Sequence, residues 1–349
     1  MMKEWYDVTI IGGGPAGLYS AFYSGLRGMK TKIIEYQQNL GGKVLLYPEK
    51  MIWDVGGQLP VLGEKFAKQI VQQGLTFDPT VCRNTKVESV EKDANNNFIL
   101  TTNDGKKHYS RAVILANGGG IIQPKRLDVT DAQRYEGKNL HYSMKSLKSL
   151  QNKTVLISGG GDAAIDCAVE LLEIAKKVIV VYRKNECRAH EAQVNKLVKG
   201  NAKFMMNTTI DSFIGTKDGT AIQQVLLKNN ASGIRSNHEV DHVIVQHGYN
   251  RESSFTVDPN ITLEKKDDYF YKGDSFGCTT ENGIFAAGDI LTYDGKINLL
   301  VGAFQDAVQA VNSVKNYLEP TAPKVGMVSS HHKAFEERNK EIIHSQLNA

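Results

Sequence analysis

Two glycine loops of the same form do most to restrict what this chain can fold into: IIGGGPAGLYSA at residues 10–21 and SGGGDAAIDCA at 158–168. Each follows an apolar run and opens a helix-like run. A strand, glycine turn, helix and second strand in that order is a βαβ unit, which requires parallel strands and a right-handed crossover. In the first, YDVTIIG (6–12) reads as a buried strand and PAGLYSAFYSGLRG (15–28) as a helix entered through proline and ended by glycine, with TKIIE (31–35) as the next strand. In the second, KTVLISGGG (153–161), DAAIDCAVELLEIAKK (162–177) and VIVVYR (178–183) repeat that order.

The rest of the chain fits around these units. VLGEKFAKQIVQQGL (61–75) has helical spacing, and residues 83–116 and 203–247 alternate with turn tracts as β-meanders do. NGIFAAGDI (282–290) reads as a strand ending in a Gly-Asp corner, 298–318 contains a long helix, and the tail carries a polar helical pattern over 333–346. The fold class is therefore α/β, with two Rossmann-like three-layer nucleotide-binding domains, each bearing a small β-meander.

Charged residues are 23% and hydrophobic residues 41%, the balance of a globular chain. A formal charge of +4 is too mild to suggest nucleic acid. No apolar run approaches the ~18–20 residues of a membrane span, and MMKEWYDVTIIGGG leads directly into a strand, so a cytoplasmic protein without a leader is expected. Cys82, Cys167, Cys187 and Cys278 show neither a C-x-x-C nor a metal spacing, so no metal and no disulfide chemistry is expected.

The glycines carry the chemistry. Gly12, Gly14 and Gly17 fit G-x-G-x-x-G: a tight turn, a close approach to pyrophosphate, and helix packing. The helix start behind Pro15 and Ala16 offers N–H donors and a positive dipole end to phosphates. Glu35 closes the next strand at about the 20-residue spacing of a carboxylate that binds adenosine ribose hydroxyls. This loop suits FAD or NAD. The second, Gly159, Gly161 and Ala164 with Asp162 and Ala163 between, is followed by Arg183, Lys184 and Arg188 where an NAD protein has an acid. Cations there pair with a ribose 2′-phosphate, so NADPH is expected. Two mobile nicotinamides have no use for each other, whereas NADPH and a resident flavin make a hydride-transfer pair.

DVTIIGGGPAGL, VLISGGGDAAIDCA, YRKNECRAH and GIFAAGDI together resemble, in order over residues 5–320, the low-molecular-weight thioredoxin reductase superfamily of flavoproteins. The cysteine pair those enzymes carry before the second glycine loop is missing: the region reads NLHYSMKSLKSLQNKT. The loop cysteine of bacillithiol-disulfide reductases is missing too, since Ala16 stands there. GGKVLLYPEKMIWDVGG (41–57), TYDGKINLLVGAFQDA (292–307) and the extension beyond 320 resemble the thioredoxin-reductase-like ferredoxin/flavodoxin–NADP⁺ reductases, which lack the dithiol.

That resemblance implies an NADPH domain (118–247) inserted in an FAD domain (1–117 and 248–349), and a homodimer. It gives Gly12, Gly14, Pro15, Ala16, Gly17, Glu35, Gly42, Lys43, Asp54, Gly288 and Asp289 to FAD, with Tyr47 stacked on the flavin ring. The C-terminal extension would reach the partner's flavin. Matching KVGMVSSHHKAF (324–335) without gaps places Val328, Ser329 or Ser330 there, and a two-residue slip brings His331 into position. Gly159, Gly161, Asp162, Ala163, Ala164, Arg183, Lys184 and Arg188 go to NADPH, with Tyr182 and Lys184 standing where the family pattern has histidine and arginine. The implied reaction is hydride transfer from NADPH to flavin N5, then one-electron steps to ferredoxin or flavodoxin, with no side chain as acid, base or nucleophile. Two other readings stay open: a diaphorase or quinone reductase with a small acceptor, and a slow FAD/NADPH-binding redox sensor.

Overall fold

The computed structural model describes residues 3–144, 147–200, 202–252, 255–326 and 328–347. The chain divides into two compact units, 1–121 with 251–349, and 122–250. In the first, β1 (Trp5–Ile11), α1 (Pro15–Leu26) and β2 (Thr31–Ile34) make the first βαβ unit, with β1 and β2 parallel from Val8↔Thr31 to Ile11↔Ile34. Helix α2 (Gly63–Gly74) leads to β3 (Thr80–Cys82), parallel to β2. An antiparallel meander follows: β4 (Val87–Lys92), β5 (Phe98–Thr102) and β6 (Lys107–Leu115), the last lying parallel to β1.

The second unit runs β7 (Leu140–His141), β8 (Thr154–Ser158), α3 (Asp162–Leu171), β9 (Lys177–Val181), α4 (Glu191–Lys199) and β10 (Lys203–Met205). An antiparallel trio, β11 (Thr208–Gly215), β12 (Ile222–Asn229) and β13 (Arg235–Glu239), precedes β14 (His242–Val245). Strands β7-β14-β8-β9-β10 form a parallel sheet in that order. The chain then re-enters the first unit, where β15 (Thr256–Val257) joins β4 and β16 (Ile284–Ala286) joins β6. The first unit's sheet is thus β15-β4-β5-β6-β1-β2-β3, with β16 also on β6. Helices α5 (Leu300–Leu318) and α6 (Glu336–Leu347) complete it.

Strand alternation builds the layers, because successive side chains face opposite sides of a sheet. In the second unit Val155, Ile157, Val178 and Val180 pack against α3 and α4 residues such as Ile165 and Leu197. Their neighbours Leu156, Ile179 and Val181 pack against Val225 and Leu227 of the antiparallel trio. In the first unit Val8 and Ile10 meet Leu18 of α1 and Val311 of α5, while Ile11 and Leu115 meet Phe98 and Leu100. Buried on both faces, these strands need the continuous apolar runs seen in the sequence. Each fully buried Val, Leu or Ile contributes about 1.5–3 kcal/mol.

Several expectations need correction. Helix α3 stops at Leu171 rather than 177, because Leu172, Ile174 and the turn after them close onto Val169 and Leu171 and release the chain to start β9 opposite Thr154. Strand β9 ends at Val181, so Arg183 and Lys184 lie beyond it. Only the middle of 203–247 is a meander; its first and last segments join the parallel sheet. Helix α4 was not among the elements expected from the sequence. Helix α2 starts at Gly63, with Val61–Leu62 spent on a short hairpin strand.

Candidate functional site

The first glycine loop is tight by necessity. Gly12 has φ +111°, and a Cβ there would lie 2.5 Å from the Ala116 carbonyl oxygen. A Cβ on Gly17 would lie 1.9 Å from Gly12 O, so only glycine lets α1 sit against the turn. On Gly14 a Cβ would meet only Gly42 Cα, at 3.7 Å, which leaves the backbone bare. Gly14 caps α1 without a side-chain hydrogen bond, and Pro15 takes the first helical position, where its missing N–H costs nothing. Beside this start sits Glu35, 8% exposed. Its Oε2 accepts the Gly13 N–H at 2.6 Å and its Oε1 the Gln37 N–H at 2.7 Å. Burial pushes its carboxyl up, and the N–H groups of Gln37, Gly13 and Tyr36 pull it back toward ionisation.

A second loop packs on the first. Gly41 donates its N–H to Gly13 O at 2.8 Å, and Gly42 (φ +59°) lies so close that a Cβ would come within 2.7 Å of Gly14 Cα. The 3₁₀ turn Gly42–Leu46 then delivers Tyr47, half-buried, with Lys50 Nζ 5.4 Å from its ring centre. Lys43 reaches Asp289 at 4.0 Å. Asp289 follows Gly288, whose φ of +78° and whose approach to Ala16 (a Cβ would be 2.8 Å from that methyl) exclude other residues. Gly12, Gly14, Pro15, Ala16, Gly17, Glu35, Gly42, Lys43, Tyr47, Gly288 and Asp289 are therefore brought to one end of the sheet. Asp54 is exposed on the loop after Met51–Ile52, apart from these contacts.

The loop of the second unit is built alike. Gly159 (φ +154°) leaves 2.5 Å between a notional Cβ and Gln246 O, and 2.9 Å to the methyl of Ala164, which is fully buried in the place of a third glycine. Gly161 caps α3 with no side-chain bond, and a Cβ on it would meet nothing within 4 Å. Residues 183–190 fold back on the loop: Arg188 N–H donates to Gly160 O at 2.6 Å, and His190 N–H to Asp162 Oδ1 at 3.1 Å. Arg183 and Arg188 are exposed, and Lys184 is half-buried. A bare, uncapped helix start bordered by cations fits a phosphorylated dinucleotide, and the first loop, with its buried carboxylate, fits one without a 2′-phosphate.

The tail lies elsewhere on the first unit. His332 Nε2 is 3.1 Å from Leu26 O, at the far end of α1, and the Phe335 ring lies tilted against Phe77, with centroids 5.4 Å apart. Ser329, Ser330 and His331 form an exposed 3₁₀ turn there. A helix of 12 residues spans about 18 Å, so within one chain they do not meet the first glycine loop.

Gly41 and His247 were not singled out from the sequence, and Tyr182 stood there only as a departure from the family pattern. Gly41 bonds the first loop, and its doubled glycine was the available signal. The Tyr182 ring packs on Gly160, where a Cβ would come within 2.4 Å. His247 Nε2 lies 2.8 Å from Ser158 Oγ beneath the second loop; burial first, then the Arg183 cation, holds its pKa below the usual imidazole value. Nothing in the sequence marks it. None of the four cysteines is in a disulfide.

Residues 6–307 match the family model described as pyridine nucleotide-disulphide oxidoreductase. The chain is 56% identical over 346 residues to ferredoxin–NADP reductase 3 of Lysinibacillus sphaericus, covering 99% of each. It is 51% identical to ferredoxin–NADP reductase 2 of Exiguobacterium sibiricum, covering 99% of this chain and 98% of the other. Among solved structures, thioredoxin reductase of T. acidophilum is similar in fold, with a TM-score of 0.68 at 23% identity, over 92% of this chain and 100% of that one.

Proposed function

The chain belongs to the pyridine nucleotide-disulphide oxidoreductase family, and on that premise we propose that it is an NADPH-dependent FAD enzyme exchanging electrons with ferredoxin. The observation that carries this is full-length identity of 56% and 51% to proteins named ferredoxin–NADP reductase. Those names favour neither the small-acceptor enzyme nor the redox sensor. The lack of any C-x-x-C agrees, since without a thiol pair electrons do not leave by disulfide exchange.

Bound FAD supplies the conversion between a two-electron hydride and single electrons. The protein's part is to bind and orient. In the first unit the backbone of Gly12, Gly14 and Gly17 admits the FAD pyrophosphate to the start of α1, and Glu35, already fixed by two N–H donors, receives the adenosine ribose hydroxyls. Tyr47 offers a ring face to the flavin, and Asp289 a carboxylate to its ribityl chain. In the second unit Gly159, Gly161, Asp162, Ala163 and Ala164 present the start of α3 to NADPH, and Arg183, Lys184 and Arg188 hold its 2′-phosphate. The balance is NADPH plus two oxidised ferredoxins giving NADP⁺, two reduced ferredoxins and a proton. Flavodoxin is a second carrier of the same chemistry.

Among the described residues no helix is long and apolar enough to cross a membrane. We place the protein in the cytoplasm as a homodimer in which Ser329, Ser330 or His331 covers the partner's flavin. The function is tested by NADPH-dependent cytochrome c reduction with and without ferredoxin. A rate that depends on ferredoxin supports it, and a rate indifferent to ferredoxin contradicts it.

A further inference from the structure

A buried ionic cluster stands directly behind the Gly288–Asp289 corner. Asp306, in the second turn of α5, is 1% exposed, and its partner Lys296 has a side chain 7% exposed. The Asp306 carboxylate accepts three donors: Lys296 Nζ, the Tyr293 hydroxyl on Oδ1 at 2.7 Å, and the backbone N–H of Gly288 on Oδ2 at 3.0 Å. Desolvation of a buried ion pair offsets most of its attraction, so a pair of apolar side chains would stabilise the fold as well. What apolar residues would not supply is an acceptor for Gly288 N–H. That group belongs to a glycine at φ +78°, one residue before Asp289. Gly288 N–H is buried and would otherwise be left without a partner at the turn that aims Asp289. Lys296 and Tyr293 in turn hold both its oxygens in place.

We propose that Asp306, fixed by Lys296 and Tyr293, is a positioning residue for FAD, holding the Gly288–Asp289 corner in the geometry that presents Asp289 to the cofactor. This rests on the reading of Asp289 as an FAD ligand.

The test titrates FAD into the full chain after removal of flavin, following the quenching of FAD fluorescence, with the Tm of the flavin-free protein measured beside it. Asp306→Ala with Lys296→Met removes both charges together and strands neither. The expected result is a Kd for FAD at least 10-fold higher. Asp306→Asn with Lys296→Met keeps an acceptor for Gly288 N–H and is expected to recover most of that loss. Tyr293→Phe, the mildest change, is expected to raise Kd 2- to 5-fold with Tm unchanged, and it decides the matter if either double variant does not fold. Wild-type Kd in the Ala/Met variant, or equal losses in the Ala and Asn variants, would overturn the proposal. So would wild-type Kd in Tyr293→Phe. A wild-type chain that takes up no FAD would instead overturn the reading of the first glycine loop.

Discussion

Arg188 donates its backbone N–H to the Gly160 carbonyl at 2.6 Å, so a cation remote in sequence from the second glycine loop is carried back to its edge. Arg183 and Lys184 lie just past the end of β9 on the same excursion.

On the proposed function these cations set the choice of nucleotide. Arg183→Ala and Arg188→Ala are each expected to raise KM for NADPH about 10-fold or more, since a hydrogen bond to a charged group is worth about 1.5–3 kcal/mol. KM for NADH should stay where it is. Steady-state kinetics with both nucleotides checks this, and equal changes for the two would place the cations away from the 2′-phosphate.

Gly161 and Gly17 separate binding from folding. Gly161→Ala adds a methyl that meets no protein atom within 4 Å, on a helix cap at φ −94° that alanine tolerates. Its Tm should equal the wild type's while KM for NADPH rises. Gly17→Ala drives a methyl into Gly12 O and should lose about 1–3 kcal/mol or more of stability. Thermal melts beside NADPH kinetics distinguish the two.

Much of this was legible in advance. The order strand, glycine turn, helix, strand pointed to the parallel βαβ strands of both units, because the pattern of buried residues and the φ demands of Gly12 and Gly159 are local. The excursion that returns Arg188 to Gly160 is not local, nor is the reach of Asp306 back to Gly288. Such contacts depend on how the chain closes, and the sequence alone assigned Asp306 and Lys296 no separate role. The end of α3 was misplaced for a related reason: the helical spacing continues past Leu171, but the start of β9 opposite Thr154 overrides it.

Glu35 should matter for FAD more than for the fold. In Glu35→Gln the amide nitrogen replaces one of the two oxygens that accept Gly13 N–H and Gln37 N–H. FAD affinity is expected to fall about 10- to 100-fold, on the scale of one charged hydrogen bond. Fluorescence titration of the flavin-free protein gives the value, and an unchanged Kd would remove Glu35 from the site.

Acid should destabilise the protein in a defined window. His108, His238, His242 and His247 all have pKa values lowered below 6.5, in each case chiefly by burial. The unfolded chain then binds more protons than the folded one just below pH 6.5, so stability present above that pH is lost as pH falls through the lowered values. Melts between pH 7.5 and about 5 should show Tm falling, and His247→Gln should flatten the slope. A Tm that rises on acidification would contradict these assignments.

The most direct test of the account is anaerobic stopped-flow mixing of the FAD-loaded protein with NADPH, then with oxidised ferredoxin. The expected result is loss of the yellow flavin absorption on the first mixing and its rapid return on the second. Bleaching by NADPH that a quinone reverses but ferredoxin does not would contradict a ferredoxin–NADP reductase.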